Sequence, residues 1–359
     1  MQSPLTVYPK LFIGIDVHKK SWSVCMRTDI CEHKTFTMPS DAGQLAGYVN
    51  AHFYDHTIHV CYEACCCGFT AARYFLNLGW AVTVVNPADV PRMDKQNYQK
   101  TDKLDCRHLC RLLQKDQLRG VYVPPEQQEQ LRSLSRQRHH VTRMLRKEKT
   151  KIKALLLYHG ITIPQAYDNV NWSHAFKDWL QQLEWQHSTG KSTLQSKLRL
   201  LKIIYSEYLS LANELRSYCR QHYRKDYYLL KSIPGIGGYL ASALLAELGD
   251  TRRFNNERQL ASYIGLVPGI HQSSETKSYM GITPRCNALL RTYLVEAAWV
   301  VLRKDVGMQK YYRSHVGKNP KSVIVKIAHK LCCRILSVIK QERPYEVNYK
   351  TEVATTNPL

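Results

Sequence analysis

The chain of 359 residues has no uninterrupted run of about 18 apolar residues, the length a bilayer-spanning helix needs. Its first residues, MQSPLTVYPKLFIGID, lack the basic start and apolar stretch of a secretion signal. No pair among its 12 cysteines is spaced as CxxC. Cys61 with Cys65, or Cys106 with Cys110, could be imagined as zinc ligands, but these positions sit in apolar strand or helix patterns. Small buried hydrophobes, reduced in a cytosolic protein, are the better reading. Acidic residues are also scarce. There are 29 Asp and Glu against 51 Lys and Arg, a formal net charge of +22. A field of that sign attracts polyanions. The basic residues are spread over several segments and not gathered in one tail. Nucleic acid therefore fits better than an anionic membrane surface.

What is present is enough for a core: 44% of the residues are hydrophobic, and the length suits two or three domains. Short apolar runs at 11–17, 22–28, 34–38 and 57–63, and AVTVVN after Trp80, predict strands. Helices are predicted over SDAGQLAGYVNAHF, GFTAARYFLNLG and TDKLDCRHLCRLLQK, the last with Leu104, Leu109, Leu112 and Leu113 as its apolar residues. The order β-β-β-α-β-α-β-α is that of a ribonuclease H-like mixed sheet. From Glu126 to His159 strands vanish. Leu131, Leu134, Arg138, Val141, Leu145, Glu148, Ile152 and Leu155 keep a 3-4 spacing. So do Leu194, Leu198, Leu201, Tyr205, Tyr208, Ala212 and Leu215. Both seams suggest a coiled coil folded as an antiparallel hairpin, a dimerising arm, or a plain helical bundle. The first carries Arg136, Arg138, Arg143 and Arg146 as nucleic-acid candidates. TGKST (189–193) lacks the glycine that a phosphate-binding loop requires at 185, where Trp stands, and is read as a cap and loop. In the last third, apolar helices are predicted near 257–264 and 287–303, around a polar loop.

Two constellations carry chemistry. Asp16 and Glu63 each end a strand, and Asp102 and Asp105 lie one turn apart on a helix face. In a ribonuclease H-like order these four converge. Clustered carboxylates repel unless a cation compensates, and Mg²⁺ prefers oxygen ligands. Two such ions can clamp the attacking and leaving oxygens of a phosphodiester. Lys100, Lys103, Arg107 and Arg111 around the helix pair are read as phosphate contacts and partial charge compensation. The second is IPGIGGYLASALLAELGD, where Gly235 and Gly237 form the tight turn of a helix-hairpin-helix, a backbone-phosphate binder. In the loop 268–287, Ser273, Ser274, Ser278, Arg285 and Asn287 stand near Arg291. A serine nucleophile there would need a base or metal, with Arg285 and Arg291 to steady the phosphate.

These residues resemble a known family. FIGIDVHKKSWSV, the YEA glutamate, KTDKLDCRHLCRLL and the block IPGIG…ELGDTRRFNNERQLASYIGLVP…SS…GITPRCNALLRTYLVEAAW look like the DEDD-type transposases of insertion-sequence family one-ten. That family includes the one-eleven-eleven branch and is related to Piv-like DNA invertases. The resemblance covers about residues 11–120 and 228–303. It implies an α/β plus α protein with a RuvC-like catalytic domain (11–120), a basic coiled-coil segment (121–226), a C-terminal transposase domain (227–341) and a loose tail (342–359). It also implies Mg²⁺ (or Mn²⁺), target and donor DNA, a noncoding bridge RNA, a homo-oligomer from dimer to tetramer, and action in the bacterial cytosol at the nucleoid. The catalytic carboxylates map onto Asp16, Glu63, Asp102 and Asp105. The nucleophilic serine maps onto Ser273, or onto Ser274, since this chain has serine where the family has glycine. Pro284-Arg285-Cys286-Asn287 stands in place of a Lys-Arg-Gly-Asn-like element. Two other functions fit the charge: a Holliday-junction-resolvase-like nuclease using carboxylates alone, and a nonenzymatic RNA- or DNA-binding protein.

Overall fold

The computed structural model describes residues 8–91, 102–168, 171–272 and 277–346. The chain divides into two compact units, the first ending at Pro125 and the second starting at Glu126.

The first unit is a five-stranded sheet in the order β3-β2-β1-β4-β5, formed by β1 (Lys10–Val17), β2 (Ser21–Thr28), β3 (Glu32–Pro39), β4 (Thr57–Glu63) and β5 (Ala81–Val85). The first three strands form an antiparallel meander, while β4 and β5 run parallel to β1. The order of strands and helices along this part of the chain is the one expected from the sequence. Successive side chains of a strand point to opposite faces of the sheet, so β1 serves two cores. Leu11, Ile13, Ile15 and Val17 pack with residues of α1 (Ala42–His52) and α2 (Thr70–Asn77) in one apolar core. Phe12 faces the other way, with Cys106 and Cys110 of α3 (Asp102–Gln114). Gly14 and Asp16 share that second face. On β4 the same alternation sends Ile58, Val60 and Tyr62 to the first core and Cys61 toward Leu109 and Leu112 of α3.

Gly14 decides how closely α3 can sit. A Cβ there would lie 2.3 Å from the Cys106 carbonyl oxygen and 2.6 Å from the Cys110 nitrogen, both backbone atoms of α3. Cysteines complete the close fit. The Cys110 thiol donates to the Phe12 carbonyl at 3.2 Å, and the Cys61 thiol to the Leu109 carbonyl at 3.5 Å. Burial pushes the Cys106 thiol up to about 12, so it stays protonated. Leu104, expected on the apolar face of α3, is instead exposed. The helix buries Cys106, Leu109, Cys110 and Leu112.

The second unit is helical. The long helices α4 (Glu126–Tyr158) and α6 (Ser188–His222) pair in opposite directions. Gln127 meets Tyr218, Arg138 meets Tyr208 and Glu148 meets Lys197 along them. α5 (His174–Gln182) fills the interval with Phe176 and Leu180 against Leu145, Ile152, Leu194 and Leu201. TGKST is not a loop: α6 already begins at Ser188 and runs through it. Further along, α7 (Arg224–Ser232), α8 (Gly238–Leu248), α9 (Glu257–Ile264), α10 (Ala288–Lys304), α11 (Val306–Arg313) and α12 (Pro320–Gln341) build a second core. The polar loop expected between α9 and α10 contains an antiparallel pair, β6 (Pro268–Gln272) and β7 (Lys277–Ile282). None of the described helices is long and apolar enough to cross a membrane.

Candidate active site

β1 and β4 are parallel, and their register runs up to Ile15 beside Tyr62. The next residues are Asp16 and Glu63, at the ends of neighbouring strands and on the face that α3 covers. α3 begins with Asp102 and Asp105, held over that end by the close approach at Gly14. The geometry then brings together a trio: ligand atoms of Asp16, His18 and Asp102 lie within 4.8 Å of one another. His18 Nε2 is 3.2 Å from Asp16 Oδ2 and 3.5 Å from Asp102 Oδ2.

Electrostatics distinguishes this end from an ordinary charged surface. Partial burial raises the Asp16 carboxyl above its usual range, His18 opposes that, and the charges of Asp102 and Asp105 push it further up. Asp105 therefore acts on Asp16 through its charge, although it is not in the trio. Glu63 is not in the trio either, and its place is fixed by strand register. Sequence reasoning does not find His18. A lone histidine after a strand reads as a turn residue. Its two-residue offset from Asp16 is the available signal.

Lys103 and Arg111 of α3 are exposed, but Arg107 has internal partners. Arg107, read as a phosphate contact, is tied to Glu32 at 2.8 Å and to Thr35 at 3.1 Å. Glu32 also binds Arg27 at 3.1 Å. This network fastens α3 to the β2–β3 edge, so Arg107 is a positioning residue. Lys100 lies outside the described residues, as do Ser273 and Ser274. The two serines fall between the ends of β6 and β7.

The nucleic-acid candidates separate clearly. Arg138 is only 8% exposed: its guanidinium lies 3.5 Å from the centre of the Tyr239 ring and donates to the Tyr208 hydroxyl at 2.9 Å. It is a packing residue, which corrects its reading as a contact. Arg136 donates to the fully buried Glu247 at 2.7 and 3.0 Å. Asn287 caps α10 and also reaches Glu247 at 2.9 Å. Arg291 donates to the Thr283 carbonyl at 2.7 Å. Arg143, Arg146 and Arg285 are exposed. Gly235 has φ of +87°, and a Cβ there would lie 2.6 Å from Val301. At Gly237, the N-cap of α8, a Cβ would meet nothing within 4 Å. The cysteines divide as well. Cys25, Cys61, Cys106, Cys110, Cys219 and Cys332 are buried as expected, whereas Cys31 and Cys65 to Cys67 are exposed.

A mixed sheet with carboxylates at the end of its central strands is consistent with a nuclease-like domain, and comparison with known proteins narrows the class. Residues 13–160 match the family model for DEDD transposases of the IS110 type, described as Transposase. Residues 227–313 match the model described as Transposase IS116/IS110/IS902 family. The chain is 30% identical over 335 residues to the transposase-type protein y4qE of Sinorhizobium fredii, covering 91% of this chain and 81% of that one. It is 29% identical over 354 residues to the pilin gene-inverting protein of Moraxella lacunata, covering 94% and 98%. The transposase for insertion sequence element IS1111A of Coxiella burnetii is 26% identical over 238 residues, covering 64% and 62%. The chain belongs to the IS110 family of DEDD-type transposases, enzymes of DNA transposition and recombination.

Proposed function

We propose that this transposase cuts and rejoins the strands of insertion-sequence DNA through Asp16, Glu63, Asp102 and Asp105, with Ser273 or Ser274 as nucleophile. The observation that carries the reading is the meeting of Asp16, His18 and Asp102 at the end of two parallel strands. The donor set fits a hard divalent cation, Mg²⁺ or Mn²⁺, because carboxylate oxygens dominate it. The repulsion felt at Asp16 is what a cation relieves. When bound, such an ion supplies Lewis acidity and charge stabilisation at a phosphodiester. The chain's own residues do the positioning. The sheet holds Asp16 and Glu63, and the Gly14 contact and the Arg107–Glu32 pair hold Asp102 and Asp105 opposite them. His18 lies between the two acids, 3.2 Å from Asp16 and 3.5 Å from Asp102.

In this reading residues 11–120 form a RuvC-like catalytic domain, 121–226 a basic coiled coil and 227–341 the transposase domain. Opposed pairing of α4 and α6 supports the coiled coil. The turn at Gly235 and Gly237 between α7 and α8 supports a helix-hairpin-helix, and the open space at Gly237 suits a phosphate approaching the backbone. The exposed Arg143 and Arg146 are the nucleic-acid contacts this reading relies on first, with Arg285 after them. Arg136, Asn287 and Arg291 would have to leave internal partners to serve. A bridge RNA, and assembly as a dimer or tetramer, complete the proposal on the family resemblance.

Strand cleavage of plasmid carrying the element's ends tests it. Asp16→Asn abolishes cleavage, and the paired Ser273→Ala/Ser274→Ala variant loses the covalent protein–DNA link and strand rejoining. Undiminished cleavage by the serine pair variant would instead identify a resolvase-like nuclease using carboxylates alone. Sequencing RNA that copurifies with the chain tests the guide, and finding no discrete RNA removes it.

A further inference from the structure

In the helical unit, α4, α5 and α6 enclose a cavity of about 760 Å³, within the range that holds small organic ligands. Its floor is apolar, from Leu145 and Leu201. Its walls are not. Lys149, Lys177, Arg199 and Lys202 line it, against the single carboxylate of Asp178. Solvated lysines on a helix are ordinary, and three neighbouring cations on these elements show the paired alternative. Lys151 and Lys197 both pair with the buried Glu148, at 3.1 and 3.5 Å, and Lys153 pairs with Asp168 at 3.0 Å. Among the described residues, none of the four cavity cations has an ion pair. Two of them lie against aromatic rings instead. Lys149 Nζ is 5.5 Å from the centre of the Trp172 ring, and Lys177 Nζ is 5.4 Å from that of Tyr205. Trp172 and Tyr205 both line the cavity, and Tyr205 is 44% exposed and stacked on Tyr208.

Concentrated positive charge beside exposed aromatic faces is how proteins hold single strands. The cations follow the phosphates, and each base stacks on a ring. We propose that this cavity seats a nucleotide of a single nucleic-acid strand, its base against Trp172 or Tyr205 and its phosphates among Lys149, Lys177, Arg199 and Lys202. The residues of this site all belong to the helical unit, and none is among the carboxylates and serines assigned to cleavage. Its ligand chemistry is a phosphate joined to an aromatic base. Burial and the charge of Lys177 together lower the proton affinity of Lys149, and an anion between the two lysines reverses the second effect.

Quenching of tryptophan fluorescence in the whole chain tests the proposal. The probes are oligo(dT) and oligo(U) about 12 nucleotides long, within the span that single-strand sites cover, with thymidine monophosphate and inorganic phosphate beside them. Trp172→Phe should lose most of the quench caused by the oligonucleotides. The paired Arg199→Ala/Lys202→Ala variant should weaken strand binding by about tenfold and lower its salt slope by about two, at an unchanged melting temperature. An unchanged quench, affinity and salt slope in these variants overturns the proposal. So does inorganic phosphate competing as well as thymidine monophosphate, because the aromatic wall then contributes nothing. Thymidine monophosphate matching the oligonucleotides, with the same losses in the variants, keeps the ligand chemistry and assigns it to a free nucleotide. Asp16→Asn should leave all of this binding intact, so failure here and failure of the cleavage reading are told apart.

Discussion

The two units each hold a cluster of carboxylate and basic groups, and they treat it in opposite ways. In the helical unit, Glu247 is fully buried. It accepts two hydrogen bonds from Arg136 and one from Asn287, with Arg132 3.7 Å away. Its carbonyl accepts from Arg132 and from the Tyr263 hydroxyl. A buried charge survives only when its lone pairs are met this way. In the sheet unit, Asp16 and Asp102 remain partly open, share a single histidine and repel each other. A saturated carboxylate serves the fold. One left under-compensated at the end of a strand, beside others like it, is available to a ligand. Sequence alone separates them only in part: Glu247 stands in the apolar run YLASALLAEL, but nothing in the sequence pairs it with Arg136 or Asn287.

The contrast predicts opposite consequences of removing each acid. Glu247→Ala leaves the mostly buried Arg132 without its counterion and opens a polar gap in the helical core, while the 60% exposed Arg136 turns to water, so it should cost about 3 kcal/mol, the low end for a broken buried pair. Asp16→Asn removes repulsion and should leave stability unchanged or slightly raised. Denaturant titration of the two variants measures both, and equal losses would erase the distinction drawn between the clusters.

A smaller effect on stability, with a larger one on activity, is expected at Gly14. A methyl group there meets backbone of α3, so overpacking should cost about 1–3 kcal/mol. The helix carrying Asp102 and Asp105 must also move off the sheet. Gly14→Ala should therefore lose strand cleavage under conditions where the chain is still folded by circular dichroism. Gly237→Ala is the control. It has open space and φ of −82°, so it should fold normally, and any loss should appear in DNA affinity. If Gly14→Ala cleaves normally, the close seat of α3 does not position the site.

Much of the sheet unit is legible in the sequence because its strands alternate or run apolar, and because Asp16 and Glu63 sit at their ends. The turn of Asp102 and Asp105 is legible from helical spacing. The tight fit that makes them converge is not, since Gly14 reads as any glycine in a strand; Cys106 and Cys110 read as small buried residues, but not as the ones that meet that glycine. The β6–β7 pair is hidden by composition: PGIHQ and KSYMGI hold few apolar residues and two strand-weakening glycines. α12 is not hidden. Val323, Ile327, Leu331, Ile335 and Val338 keep a helical spacing, and its buried face helps build the second core. Arg138 illustrates the limit of charge counting. At a seam position it lies under Tyr239, and only its three-dimensional surroundings distinguish that from a phosphate contact.

The smallest expected effect is the most selective between the two clusters. The Asp16 carboxyl is raised in the folded chain, so the unfolded chain loses this proton first as pH rises. Without a cation, Asp16 therefore contributes nothing below its unfolded value, and stability falls as pH rises from there through the raised folded value. Mg²⁺ binds the ionised form and opposes that loss. Added Mg²⁺ should then raise the melting temperature modestly at neutral pH, by less near pH 4, and hardly at all in Asp16→Asn at either pH. Glu247 has no open coordination, so Mg²⁺ should restore none of the stability lost in Glu247→Ala beyond the increment seen in the unaltered chain. A Mg²⁺ shift that survives Asp16→Asn would place the ion elsewhere and leave the open carboxylates without the ligand that their repulsion implies.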